Sequence, residues 1–119
     1  MSRDTALKMK NYKGFIALRN AVNDFPLAGG IYTKPKVDVN TIMDAEYVVV
    51  PGMEVEEYVQ EKGGYIPVKL AGQGYFEWLE APIVQDIITN RLDRDAAAPI
   101  ADIVEAVFYY HEYDTFKDD

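Results

Sequence analysis

Residues 46–52 read Glu-Tyr-Val-Val-Val-Pro-Gly. Three consecutive β-branched side chains behind an aromatic one favour a pleated chain over a helix, and Pro51-Gly52 ends the run. An unbroken apolar run, in place of alternation, marks a strand covered on both faces. Upstream, Ile31-Tyr32-Thr33 is a second, shorter strand behind Gly29-Gly30, and the polar stretch 34–44 joins the two as a hairpin with a long loop. Further back, within residues 13–23, Phe15, Leu18 and Val22 fall at the spacing of one helical face, and Pro26 and the paired glycines stop that helix.

Downstream of Gly52, the spacing predicts a helix over residues 53–62. Val55, Tyr58 and Val59 share one face, Glu54, Glu57 and Glu61 line another, and Gly63-Gly64 ends it. Residues 65–79 read as a hairpin, with Ala71-Gly72-Gln73-Gly74 as its turn and Pro67 marking an edge strand. Two helices close the chain. The first opens near Pro82, where the missing N–H costs nothing, and buries Val84, Ile87 and Ile88. The second opens near Pro99 and carries a stripe of Ile100, Ile103, Val104, Val107, Phe108 and His111. Its other surface then holds Asp102, Glu105, Tyr109 and Glu112. The expected fold is α+β, a small, mainly antiparallel sheet packed with about four helices, two of them C-terminal. One globular domain is expected over residues 1–119, with residues 1–11 as a flexible arm and 117–119 as a frayed tail.

Composition removes several kinds of chemistry. Cys is absent and His111 is the single histidine, which excludes disulfides and thiolate sites and leaves no second imidazole for a zinc centre. No metal and no cofactor are expected. Twelve basic against twenty acidic residues give a net charge of −8, which opposes direct binding to nucleic acid or an anionic membrane. A charged partner should be basic. The negative charge is concentrated: residues 1–36 hold seven basic and two acidic residues, and residues 37–119 hold five basic and eighteen acidic ones. No apolar stretch approaches the roughly 18 residues of a membrane span, and no signal core follows the basic N-terminus, so the cytoplasm is the expected compartment.

Enzyme motifs are thin. Gly72-x-Gly74 and Gly63-Gly64 lie in turns and not at a strand-to-helix phosphate loop, and no Gly-Lys-Ser/Thr follows a strand. His111 continues an apolar stripe and reads as a residue at the core edge. Carboxylates such as Glu77, Glu80 and Asp86 are abundant, and abundance on amphipathic elements does not separate their pKa values as acid/base catalysis requires. Catalytic residues are therefore not assigned. Nine Tyr, five Phe and one Trp are the other resource. In Phe108-Tyr109-Tyr110-His111-Glu112-Tyr113-Asp114-Thr115-Phe116 they interleave with acids, the chemistry of a surface that grips Lys and Arg of another protein.

The succession Pro82-Ile83-Val84-Gln85-Asp86-Ile87-Ile88-Thr89-Asn90, then Ile103-Val104-Glu105-Ala106-Val107-Phe108-Tyr109-Tyr110 and Tyr113-Asp114-Thr115-Phe116, resembles a family of small acidic bacterial immunity proteins. These belong to contact-dependent growth inhibition and related polymorphic toxin systems. A fainter likeness extends back to about residue 15, interrupted by the Tyr65 to Trp78 segment. The resemblance implies a cytoplasmic stoichiometric inhibitor that blocks the basic active-site cleft of a cognate toxin C-terminal domain, a nuclease by the acidity of its inhibitor. It brings no catalytic residues.

The partner-binding residues expected on this reading are Asp102, Glu105, Tyr109 and Glu112, joined by Glu54, Glu57 and Glu61. The alternative is a mobile-element inhibitor of a host defence nuclease that mimics nucleic-acid charge. A small-molecule-binding or catalytic domain is a third reading. An exposed Val-rich or Tyr65–Leu70 edge would also support a homodimer.

Overall fold

A computed structural model describes residues 9–116 of the chain. By internal contacts the chain divides into two compact units, one running to Pro82 and the other beginning at Ile83.

The first unit is built on a four-stranded antiparallel sheet. Its strands are β1 (Lys10–Lys13), β2 (Gly29–Lys34), β3 (Glu46–Pro51) and β6 (Phe76–Glu80), in the order β1-β3-β2-β6. β3 is interior, between β1 and β2, and Tyr47 to Pro51 are all buried, as the unbroken valine run requires. β2 and β3 form the expected antiparallel pair, with Ile31 opposite Val49 and Thr33 opposite Tyr47. Alternation then divides the side chains. Tyr32, Val48 and Val50 join Ile66 and Leu70 in one cluster. On the other face the Tyr47 ring lies 6.2 Å from Phe15 and 5.3 Å from Trp78 by centroids.

The long β2–β3 loop is held by its own polar groups. Asp38 Oδ1 accepts from the amides of Asn40 and Thr41, and Thr41 Oγ1 donates to the Lys36 carbonyl at 2.7 Å. Its end is pinned inward, where the Tyr47 hydroxyl donates to the Ile42 carbonyl at 2.6 Å. Helix α1 (Phe15–Asn20) and a 3-10 turn over Val22–Asp24 bury Phe15, Leu18 and Val22, the stripe expected from their spacing.

Three expectations fail in this unit. Residues 53–62 are not a helix: a 3-10 turn covers Gly52–Glu54, and Tyr58–Glu61 is a strand, β4, paired with β5 (Gly64–Pro67). Glu61 lies opposite Gly64, so Lys62-Gly63 is a two-residue hairpin loop, and the positive φ of 117° falls on Gly64, the first residue of β5. A hairpin over residues 65–79 is likewise absent, because β5 pairs with β4 and β6 pairs with β2. Instead the Glu77 amide donates to the Gly63 carbonyl at 2.9 Å, tying the β4–β5 hairpin to β6. Finally, Lys10 and Asn11 open β1 and are not part of an arm. Residues 1–8 of that arm and the tail at 117–119 lie outside the described residues.

The second unit holds most of α2 (Ala81–Arg94) and all of α3 (Ile100–Tyr113). In α2 the residues Ala81, Val84, Ile87 and Ile88 are buried, and Arg91 and Arg94 occupy the last turn, where cations complement the helix dipole. α3 starts after Pro99 and ends at Asp114, which adopts the left-handed conformation at φ 58° while its amide donates to the Tyr110 carbonyl. Ile103, Ala106 and Val107 are its buried residues. The stripe is thus rotated toward Ala106: Val104 and Phe108 are half-buried, and His111 is exposed and not at the core edge. Among the described residues the α-helices number three, one fewer than the four expected, because the segment after Gly52 went to strand. The fold is α+β with an antiparallel sheet. No helix among the described residues is long and apolar enough to cross a membrane.

Candidate functional site

α3 is a helix of fourteen residues with three carboxylates, no Lys or Arg, and five aromatic or imidazole side chains crowded into its last two turns. At 100° per residue, Asp102, Glu105, Tyr109, Glu112 and Tyr113 fall within an arc of about 100°. The structure therefore gathers the four residues expected on this helix onto one face and adds Tyr113. Glu105 and Glu112 are exposed, and Asp102 and Tyr109 are half-buried. The Tyr109 and Tyr113 rings, one turn apart, lie 4.6 Å apart by centroids. Tyr110 meets Phe116 at 5.4 Å on the next strip of surface. Tyr113 and Phe116 remain 57% and 40% exposed, large apolar areas that the helix itself does not need to leave in water. The i, i+4 relation of Tyr109 to Tyr113 is the sequence signal that would have added Tyr113 to this face.

Placement of the charges matters as much as their number. Asp102 sits in the first turn, where an anion is favourable. Glu112 sits in the last turn, where the helix dipole disfavours an anion, so helix stability does not account for it. The second unit has nine acidic and three basic residues from Ile83 to the chain end, most of the net charge of −8.

The three earlier acids are used differently. Glu54 lies on a 3-10 turn, 4.0 Å from the Lys69 ammonium. Glu57 precedes β4, and its carbonyl accepts from the Val68 amide at 3.0 Å. Glu61 ends β4, and its Oε2 accepts from the Gly72 amide at 2.8 Å, fixing the loop after β5. No helical row of acids exists there, because the segment is not helical.

The first unit also contains an open cleft of about 590 Å³ that sequence reading missed. Its floor includes Gly29, Gly30 and Gly52, and its walls carry Tyr32 and Glu77 from the sheet and Tyr58 and Tyr65 from the β4–β5 hairpin. Tyr32 and Glu77 are cross-strand partners, so both side chains emerge on one sheet face. The Tyr32 hydroxyl shares a hydrogen bond with Tyr58, and burial, Tyr58 and the Glu77 charge together hold it well above the ordinary phenol range. Glu77 Oε1 also accepts from the Tyr65 amide at 3.3 Å. These residues are separated by up to fifty positions in sequence and by no regular period, which is why no motif revealed them.

Among the described residues no group of three His, Asp or Glu side chains is placed to hold a metal ion. A family model described as a domain of unknown function (DUF7716) matches residues 15–118. No curated protein and no solved structure matches the chain.

Proposed function

The chain belongs to the DUF7716 family, and we propose that it is a non-catalytic binding protein of the immunity type, which occupies the basic cleft of a cognate toxin domain in the cytoplasm. The observation that carries this reading is the α3 face. The half-buried Tyr109 and the exposed Tyr113, on one face with Glu105 and Glu112, suit a partner surface rich in Lys and Arg. The resemblance of residues 82–116 to immunity proteins supplies the class of partner. A nuclease domain, whose substrate is a polyanion, presents such a surface, and a partner with a charge of −8 is steered to it over a distance of about a Debye length.

The test is to purify the tagged full chain from its native host at low and high salt and identify stoichiometric companions by mass spectrometry. A single basic toxin domain, bound 1:1 and released as salt rises, is the expected companion. With that domain in hand, Glu105→Lys and Glu112→Lys should each slow association by about tenfold at low salt, with the difference shrinking as ionic strength increases. Unchanged association rates would remove the α3 face from the interface. A host defence nuclease as the companion, displaced by DNA or RNA, would replace the immunity reading with that of a nucleic-acid mimic.

A further inference from the structure

The cleft of the first unit has the size of a small-ligand site, about 590 Å³. Its composition is selective. Among its lining residues the charged ones are Glu77 and Glu80, with no Lys, Arg or His. The field inside is therefore negative and repels phosphates and carboxylates. Three tyrosine rings border it, from Tyr32, Tyr58 and Tyr65, while the Trp78 ring packs on Tyr47 at the other sheet face. Rings beside carboxylates, in a hollow without cations, attract a positively charged alkylammonium group.

The rings are held in place by backbone geometry. In the β4–β5 register Gln60 faces Tyr65 and Tyr58 faces Pro67, which puts Tyr58 and Tyr65 on the same face of the hairpin. Both remain about half exposed, at 46% and 55%, so their rings are presented to the cleft and not spent in the core. Tyr32 is only 4% exposed, and its bond to Tyr58 joins the sheet wall to the hairpin wall. On the floor Gly29 has φ 140°, and a Cβ there would overlap the Val50 carbonyl, so that position stays glycine.

We propose that this cleft binds an alkylammonium head group, flanked by the rings of Tyr32, Tyr58 and Tyr65 and neutralised by Glu77 and Glu80. The head group is either that of a free small amine or a lysine side chain of a protein, and the two share the same recognition chemistry. The site does not rest on the α3 reading, and Glu105→Lys and Glu112→Lys leave it intact.

Trp78 is the chain's one tryptophan and follows Glu77 on β6, so its emission serves as a nearby reporter of the cleft. Choline, its neutral tert-butyl analogue in which carbon replaces the nitrogen, and Nα-acetyl-lysine amide are titrated into the full chain, following Trp78 emission and the melting temperature. Choline or the lysine compound should shift the emission saturably and raise the melting temperature, and the neutral analogue should bind at least about tenfold more weakly. A stronger response to choline identifies a free amine as the source, and a stronger response to the lysine compound identifies a protein side chain. Glu77→Gln keeps an acceptor for the Tyr65 amide and should weaken binding about tenfold, while Tyr65→Leu should weaken it with little change in the melting temperature of the free protein. The proposal is overturned if the neutral analogue binds equally well, if neither ammonium compound binds at millimolar concentration, or if binding survives Glu77→Gln together with Glu80→Gln unchanged.

Discussion

Tyr47 is fully buried, packs edge-on to Phe15 and tilted against Trp78, and donates its hydroxyl to the Ile42 carbonyl. Tyr47→Phe keeps the ring and leaves that carbonyl without its donor, so chemical denaturation should show a loss of about 1–3 kcal/mol. Thr33 is the opposite case. It is fully buried in β2, and among the described residues its hydroxyl finds no hydrogen-bond partner. Thr33→Val preserves the shape and removes the orphan group, and the same measurement should show a gain of about 1 kcal/mol. Burial also raises the phenols of Tyr32 and Tyr47 above the ordinary value of 10.0. Above that pH the unfolded chain releases these protons before the folded one does. The stability they contribute is intact below pH 10 and declines as pH rises beyond it, by about 1.4 kcal/mol per pH unit for each tyrosine. Tyr47→Phe should remove one of the two contributions from an alkaline denaturation profile. A composition count finds nine tyrosines but not which two are buried, because burial is set by residues far away in the chain.

At the scale of elements, residues 53–62 satisfy two periods at once. Val55, Tyr58 and Val59 fit a helix, while Tyr58-Val59-Gln60-Glu61 also alternates between exposed and half-buried positions as a strand. A ten-residue helix is marginal by itself, whereas the hairpin gains the Glu77 to Gly63 and Gly72 to Glu61 hydrogen bonds from outside it. Tertiary bonds decided the outcome. Gly63 is the joint: a Cβ there would overlap the Tyr75 carbonyl. Gly63→Ala should strip hydrogen-exchange protection from β4 and β5 while β2 and β3 keep theirs. β1 escaped notice because Lys-Asn-Tyr-Lys is polar, the usual dress of an edge strand. In α3, removing the anion from the last turn by Glu112→Gln should stabilise the free protein by about 0.3–1 kcal/mol in thermal melts. The same substitution should slow binding to the basic partner, which separates a role at the interface from a role in folding.

For the molecule as a whole, charge is the dominant property. A net −8 over 119 residues repels itself, and nine of the twenty acids lie from Ile83 onward. Raising ionic strength from about 10 mM to about 150 mM shortens the screening length from about 30 Å to about 8 Å and should raise the melting temperature of the free protein. The same change should weaken the complex with its partner, so folding and binding should respond to salt with opposite signs.

Local rules were enough for much of this chain. The β-branched run at 48–50, the prolines at 82 and 99, and the apolar spacing in α1, α2 and α3 each specify an element within a few neighbouring residues, because backbone preference and one-sided burial act locally. The acidic face of α3 was legible for the same reason: a helix turns sequence spacing directly into surface. What the residues after Gly52 became, and that Tyr32, Tyr58, Tyr65 and Glu77 meet around one cleft, was decided by tertiary structure alone. Strand partners are chosen by hydrogen bonds between distant segments, and no period in the sequence records which segments those are.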